Sequence, residues 1–585
     1  MTSFWKTIWT QVCHDLRPNQ ERIDLSWRIA LICAMMVCVA MIYKIPFVAV
    51  SLFVIFFVMR SDSAESNILA AALIVLATIV VGLLLLIIEI TLPSPAIRLA
   101  VLLVTSYFLL FFGVSTQLGP LGGIIALVIT FVLSMLNYVE VPEIAVRGTL
   151  YAWLMAATPM GIVLLANWFW GRRPKAVLYF ELTQRLKCCA ALVQGEHELD
   201  SVRGFIAQGI EAQQKRISWL KLFYLAPKAE IKWVEHATLQ IYRLMLAILA
   251  WQRSGALQLG AYEDFNRWLA QQLTLAAQAL SKGEVPAIET SIPKGFLPAN
   301  VNAEQQNYLA EIESTLAALC QDKELSRIEA EKEPLAQPDI WTNPSYKHHA
   351  IKGTAAATIC YMLYSIADWQ GIHTAMITCY VASLGTTAET LHKLTLRIIG
   401  CLIGAFLGML CLLFLMVHIN DIGSLLFVVF VVSWVSAWVF TGPERISYAG
   451  IQIAFAFYLV LLHGFGPSYD FDAAWDRIVG VLMGNIMMYL FFTRLWPVGQ
   501  QPFIETNLQQ AQQLLEQLSD AASLSVEQRV QLYARAAVKL EAARNGLEMT
   551  LFELKNIRPK PAMKQELERR LSRLRMQLEE PLSAQ

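Results

Sequence analysis

Charge is what this sequence has least of. Asp, Glu, Lys and Arg supply 16% of its 585 residues, against about 25% in a soluble domain. The 46 basic and 46 acidic residues cancel to a formal net charge of zero, so no charge excess points to a nucleic-acid partner. A GxxxxGK[ST] phosphate loop is missing, which argues against direct ATP driving by this chain. HExxH and GxSxG are missing too, as is any setting for a catalytic cysteine, so neither an enzyme nor a cofactor is expected. The ten cysteines form no CxxC pair and no Cys/His cluster at zinc spacing, so no metal site is expected either. Most of them, for example Cys33, Cys38, Cys360, Cys379, Cys401 and Cys411, lie in apolar runs. They read as small apolar filler in a reducing or lipid setting rather than as a disulfide framework.

What the chain has instead is apolar residues, 56% of the total, gathered into two blocks with polar sequence between and after them. The layout predicts an N-terminal interfacial helix over 1–25, a first transmembrane repeat over 26–170 and a cytoplasmic helical domain over 171–350. A second transmembrane repeat over 351–495 and a C-terminal cytoplasmic helical region over 496–585 complete it. The apolar run from about Ile29 to Tyr43 has no small-residue cleavage site after it, so it is not a secretory signal. Ahead of it, Phe4, Trp5, Ile8, Trp9, Val12 and Leu16 fall at helical spacing. That pattern suits an amphipathic helix on the membrane surface, or one packed on the soluble domain.

A spanning helix takes about 20 predominantly apolar residues. Six are read in the first block, near 26–43, 45–61, 68–90, 96–113, 119–136 and 147–170, and six in the second, near 351–368, 371–385, 391–417, 422–440, 446–463 and 476–495. Lys and Arg favour one side: GRRPK from Gly171, the insert, PERI from Pro443 and the tail. The opposite loops, from Asn137, His418 and Gly464, mostly lack them. The bias puts both termini in the cytoplasm.

The blocks share a polar interruption. RSDSAESN from Arg60 and GTTAETLHK from Gly385 each follow a second span and precede a third, with Glu65 and Glu389 separated by 324 residues. Gly119-Pro120 and Gly442-Pro443 open fifth spans, and Arg147 and Arg477 begin sixth spans. The halves read as duplicated copies. Six spans is an even number, so the repeats are expected to be parallel, and repeat-built transporters bind cargo near the midplane where repeats meet. Asp62-x-x-Glu65 and Thr386-x-x-Glu389 fit capping boxes; a substrate or proton role for Glu65 and Glu389 is the other reading.

Gly400, Gly404 and Gly408 form a stripe of small residues, as do Gly480 and Gly484. Such stripes let a helix approach closely, within the chain or between two copies. The first block lacks the Gly400 stripe at matching positions. Charges within spans are few and therefore informative. Arg147 and Arg477 fit either snorkelling and local ion pairing with Glu143 and Asp476, or a basic ring drawing organic anions to an outer exit. Asp368 and His373 flank the turn ADWQGIH and fit either a satisfied turn or a proton relay. Gln452 and Asn485 fall inside spans, where an amide can bond a neighbouring helix or a ligand. Glu89 and Arg397 are placed close enough to helix ends to snorkel.

The insert and tail are rich in Ala, Leu, Gln, Glu and Lys with helical spacing, as in HATLQIYRLMLAILAWQ and QELERRLSRLRMQL. They are expected to pack together as a helical bundle.

The stretch TNPSYKHHAIKGTAAATICYMLYSIADWQGIHTAMITCYVASLGTTAET from Thr342 resembles the start of the second membrane half of the fusaric acid resistance family. ERISYAGIQIAFAF from Glu444 and HGFGPSYD from His463 continue the resemblance, as do IPFVAVSLFVIFF from Ile45 and PEIAVRGTLY from Pro142. This family includes aromatic acid exporters and MdtO-type multidrug resistance subunits, and the tail here is short for the MdtO type. The resemblance implies a multi-pass export subunit of a bacterial inner membrane, working with a periplasmic adaptor protein and an outer-membrane channel. It implies aromatic carboxylates or amphipathic drugs as substrates and the proton gradient as energy source. A passive organic-anion channel and a membrane-anchored scaffold or sensor are the alternatives, and a homo-oligomer is possible. The resemblance supplies no agreed set of functional residues.

Overall fold

A computed structural model describes residues 15–16, 18–136, 141–196, 198–257, 260–293, 295–298, 301–321, 335–383, 386–463, 466–467, 471–520 and 524–578. Most of the interfacial helix expected at the N-terminus lies outside these residues. The described chain is mainly helical. In order, the first block holds α1 (Gln20–Tyr43), α2 (Val48–Val58), α3 (Ser63–Thr91), α4 (Pro95–Ser115), α5 (Pro120–Met135) and α6 (Pro142–Trp170). The insert holds α7 (Pro174–Val193), α8 (Leu199–Gln208), α9 (Glu211–Leu222), α10 (Lys228–Arg253), α11 (Glu263–Lys282) and α12 (Ala303–Leu319). The second block holds α13 (Pro344–Ile366), α14 (Thr374–Ala382), α15 (Thr387–Leu410), α16 (Ile422–Phe440), α17 (Glu444–Leu461) and α18 (Phe471–Arg494). The tail holds α19 (Gln501–Asp520), α20 (Val526–Met549) and α21 (Pro561–Leu578). A two-residue antiparallel pairing joins Leu462 to Pro467.

Two compact units result. One takes Met1–Gly171, Lys332–Val498 and Phe552–Ile557; the other takes Arg172–Glu331, Gly499–Leu551 and Arg558–Gln585.

In the first unit a helix falls within each of the twelve expected spans, shorter than expected at Val48–Val58 and Thr374–Ala382. Among the described residues, seven helices are long and apolar enough to cross a membrane: α1, α3, α4, α6, α15 with its continuation to His418, α16, and α18 from Trp475. Residues of α2, α5 and α14 form shorter apolar helices. Large apolar side chains such as Leu86 on α3, Phe406 on α15 and Phe427 on α16 are left exposed, as a lipid-facing surface requires. The chain is a multi-pass membrane protein.

Local chemistry sets the helix starts. Asp62 accepts from the Glu65 N–H at 2.7 Å, and Thr386 Oγ1 accepts from the Glu389 N–H at 3.3 Å. Both are N-caps that satisfy donors which lipid would leave unpaired. Proline occupies the first turn of α4, α5, α6 and α13, where no internal N–H is lost. The turns after α1 and α13 also match: Lys44 and Asp368, 324 positions apart, both take left-handed backbone, with φ of 54° and 48°.

Packing between the blocks is reciprocal. Helix α1 packs on α16 and α13 on α4; α2 packs on α17 and α14 on α5. Within the blocks, α3 lies mainly against α6, whereas α15 lies mainly against α17. The glycine stripe explains that difference. A methyl group on Gly400 would sit 2.7 Å from Gln452 Cβ, one on Gly404 2.9 Å from Ala456 Cβ, and one on Gly408 2.9 Å from Val460 Cβ. All three glycines therefore serve contact inside the chain, against α17. Gly480 and Gly484 likewise face Thr374, Ala375 and Thr378 of α14.

The second unit combines insert and tail. Helix α10 is buried along most of its length and packs on α7, α9 and α12, and α20 from the tail packs on α8 and α10. Glu181 pairs with Arg216 at 2.5 Å, and Arg243 pairs with Glu311.

Candidate functional site

Helices α15, α17 and α18 meet where Cys401, Ala456 and Val481 pack together. The start of α15 is tied to the end of α18: Thr387 Oγ1 donates to Phe492 O at 3.2 Å, and the Thr387 N–H donates to Val498 O at 3.1 Å. The two helices are therefore antiparallel, and one turn towards Thr387 from the Cys401 contact lies Arg397. On α17, Gln452 lies one turn in the same direction from Ala456. On α18, Asn485 lies one turn from Val481, towards the Phe492 end that meets Thr387.

All three side chains are buried, at 0% exposure for Arg397, 2% for Gln452 and 4% for Asn485. Arg397 Nη1 donates to Tyr448 Oη at 3.0 Å. Its Nε and Nη2 have no hydrogen-bond partner, nor do Gln452 Nε2 or Asn485 Nδ2 and Oδ1. Arginine stays protonated in proteins, and a buried charge or donor without a partner is costly. One turn further towards Thr387, the Lys393 ammonium stands 4.9 Å over the Tyr448 ring. Burial corrects the reading of Arg397 as a snorkelling residue. The sequence does carry one signal for it: Arg397 lies three residues before Gly400, on the face of the glycine stripe that seats α17.

The other candidates are distributed as follows. Arg147 is exposed and paired with Glu143 at 2.5 Å. Arg477 is buried and donates through Nη1 to His373 Nε2 at 2.7 Å. The two arginines thus sit in different environments. Asp368 lies exposed in its turn, while Asp476 accepts from Trp369 Nε1 at 2.8 Å. His373 also meets the Phe131 ring, 5.4 Å between centroids, which brings α5 to this turn. Glu65 and Glu389 stand in the first turns of α3 and α15, where their N–H groups are capped. Among the described residues no group of three or more His, Cys, Asp or Glu is placed to hold a metal. In the second unit, Arg203, Glu541 and Arg575 line a groove of about 260 Å³.

Residues 359–491, which contain Arg397, Gln452 and Asn485, match the family described as fusaric acid resistance protein-like. The chain is 27% identical over 541 residues to the multidrug resistance protein MdtO of Escherichia coli O157:H7, covering 91% of this chain and 78% of the relative. The corresponding figures are 27% over 544 residues for the Escherichia coli K12 protein, and 27% over 523 residues for that of Shigella flexneri, with 88% of this chain and 75% of the relative covered. No solved structure matches the chain at a significant level. The chain is thus similar to the fusaric acid resistance protein-like family over residues 359–491, and to a multidrug resistance protein over 91% of its length.

Proposed function

We propose that this chain is an inner-membrane efflux subunit that moves small aromatic acids or amphipathic drugs out of the bacterial cytoplasm. The observation that carries this reading is the set of buried side chains with unused polar atoms, Arg397, Gln452 and Asn485, inside an otherwise apolar helical block. Intramembrane polar groups of this kind mark cargo pathways. Similarity to multidrug resistance proteins supports it.

The finer reading has two parallel repeats of six spans, both termini cytoplasmic, and a cytoplasmic bundle made from insert and tail. Matched turns at Lys44 and Asp368, matched caps at Asp62 and Thr386, and reciprocal packing of α1 on α16 and α13 on α4 support the repeats. The proton gradient drives export, with His373, held against Arg477, as the favoured coupling residue ahead of Asp368, Glu65 and Glu389. A periplasmic adaptor and an outer-membrane channel complete the route outward.

Everted vesicles carrying the full chain test this. Aromatic acids should accumulate inside when a pH gradient is imposed, and an uncoupler should abolish accumulation. Equilibration without accumulation would identify a passive anion channel, and no movement would leave the scaffold reading.

A further inference from the structure

We infer that Arg397, Gln452 and Asn485 form a single binding site for an organic carboxylate, present only in the second half of the chain. The inference deepens the transport reading, on which it rests for the source of the ligand.

The chemistry begins with the guanidinium. Arg397 is fully buried, and only Nη1 is engaged, by a neutral phenol at 3.0 Å. Nε and Nη2 share one edge of the guanidinium plane, the edge that binds a carboxylate through two parallel bonds. Both are unused, and so are the amide donors of Gln452 and Asn485 on the two helices packed against α15. A carboxylate accepts up to four such bonds, so one ligand group meets the needs of three helices. Lys393, one turn away over the Tyr448 ring, adds positive potential on the side of Thr387. A neutral ligand of the same shape would satisfy the amides and leave the charge uncompensated.

The first half lacks this arrangement. The landmarks that relate the halves are Glu65 and Glu389, Gly119 and Gly442, and Arg147 and Arg477. They place Leu73, Ile129 and Met155 where the second half has Arg397, Gln452 and Asn485. The glycines that seat Gln452 beside α15 are replaced there by Leu76, Val80 and Leu84, and α3 packs mainly on α6 instead of α5. Stripe and polar trio belong together, because close approach of α17 is what brings Tyr448 to the arginine and Gln452 against Gly400.

Radiolabelled benzoate and the purified full chain in neutral detergent provide the test, by equilibrium dialysis. Expected are saturable binding of one benzoate per chain, no competition by benzamide, and binding weakened about tenfold or more by Arg397→Gln. Leu73→Gln in the first half should leave binding unchanged. Gln452→Leu should weaken binding by about threefold or more and guards against misfolding of the arginine variant. Thermal unfolding of each variant identifies those that fold. Absence of saturable binding, two sites per chain, or equal binding by folded Arg397→Gln would each overturn the site. Benzoate binding that depends on Arg397, in a chain whose vesicles move no benzoate, would keep the site and sink the transport reading.

Discussion

Arg477 Nη1 lies 2.7 Å from Nε2 of His373, so a buried guanidinium and an imidazole are in direct contact. Protonating His373 would set two cations side by side and drive the pair apart. His373→Gln retains an acceptor and removes the titration. Under the proposed coupling, uptake driven by a pH gradient into everted vesicles falls about tenfold or more, while exchange of labelled for unlabelled substrate without a gradient persists. Loss of both activities would make the pair structural.

Arg147 and Arg477 should behave differently. Arg147 and Glu143 form an exposed pair, with 70% and 67% of their side chains accessible, so Arg147→Ala should cost less than about 1 kcal/mol and leave transport unchanged. Arg477→Ala removes a buried charged hydrogen bond and should cost roughly 1.5–3 kcal/mol. Thermal unfolding in detergent, run beside vesicle transport, separates the two outcomes.

The glycine stripe is testable by volume. Gly404 faces the Ile453 carbonyl and Ala456, so Gly404→Leu must push α15 from α17, at a cost of about 1–3 kcal/mol. A methyl group added at Gly82 on α3 would meet nothing within 4 Å, and Gly82→Ala should be neutral or stabilising by about 0.5–1 kcal/mol. Equal effects in a thermal melt would remove the stripe from the packing account.

The caps at Asp62 and Thr386 should respond alike. Asp62→Ala and Thr386→Ala each cost about 0.5–2 kcal/mol, and Asp62→Asn keeps most of the stability. Thermal melts decide this, and Glu65→Gln should change them little if capping is the role of that segment.

In the insert, burial pushes the Cys188 thiol up to about 11, with the Glu198 carboxylate adding to the rise. The thiolate is the reactive species. At pH 8, maleimide labelling of Cys188, followed by mass spectrometry, should run roughly a hundredfold slower than at an ordinary cysteine and speed up with pH. A rate equal to that of free cysteine would show the residue to be solvated.

Periodicity carries far in this chain. The twelve helical stretches, the caps at Asp62 and Thr386 and the turns at Lys44 and Asp368 are legible because each depends on neighbours within a few residues. Arg397 is easily misread because a lone cation near a span boundary has two fates, and only the position of α17 decides between them. The partners of Arg477 are equally hidden: Glu143 lies four residues from Arg147, one helical turn, but His373 lies 104 positions from Arg477. For the glycine stripe, sequence shows that something packs closely and does not say what.

Because α1 rests on α16, its partner on that face is made only about 400 residues later in synthesis. The nascent amino-terminal half must wait in the bilayer with that face covered by lipid or by an insertion chaperone. Splitting the gene between the two halves should therefore yield fragments that are unstable apart and recover when co-expressed.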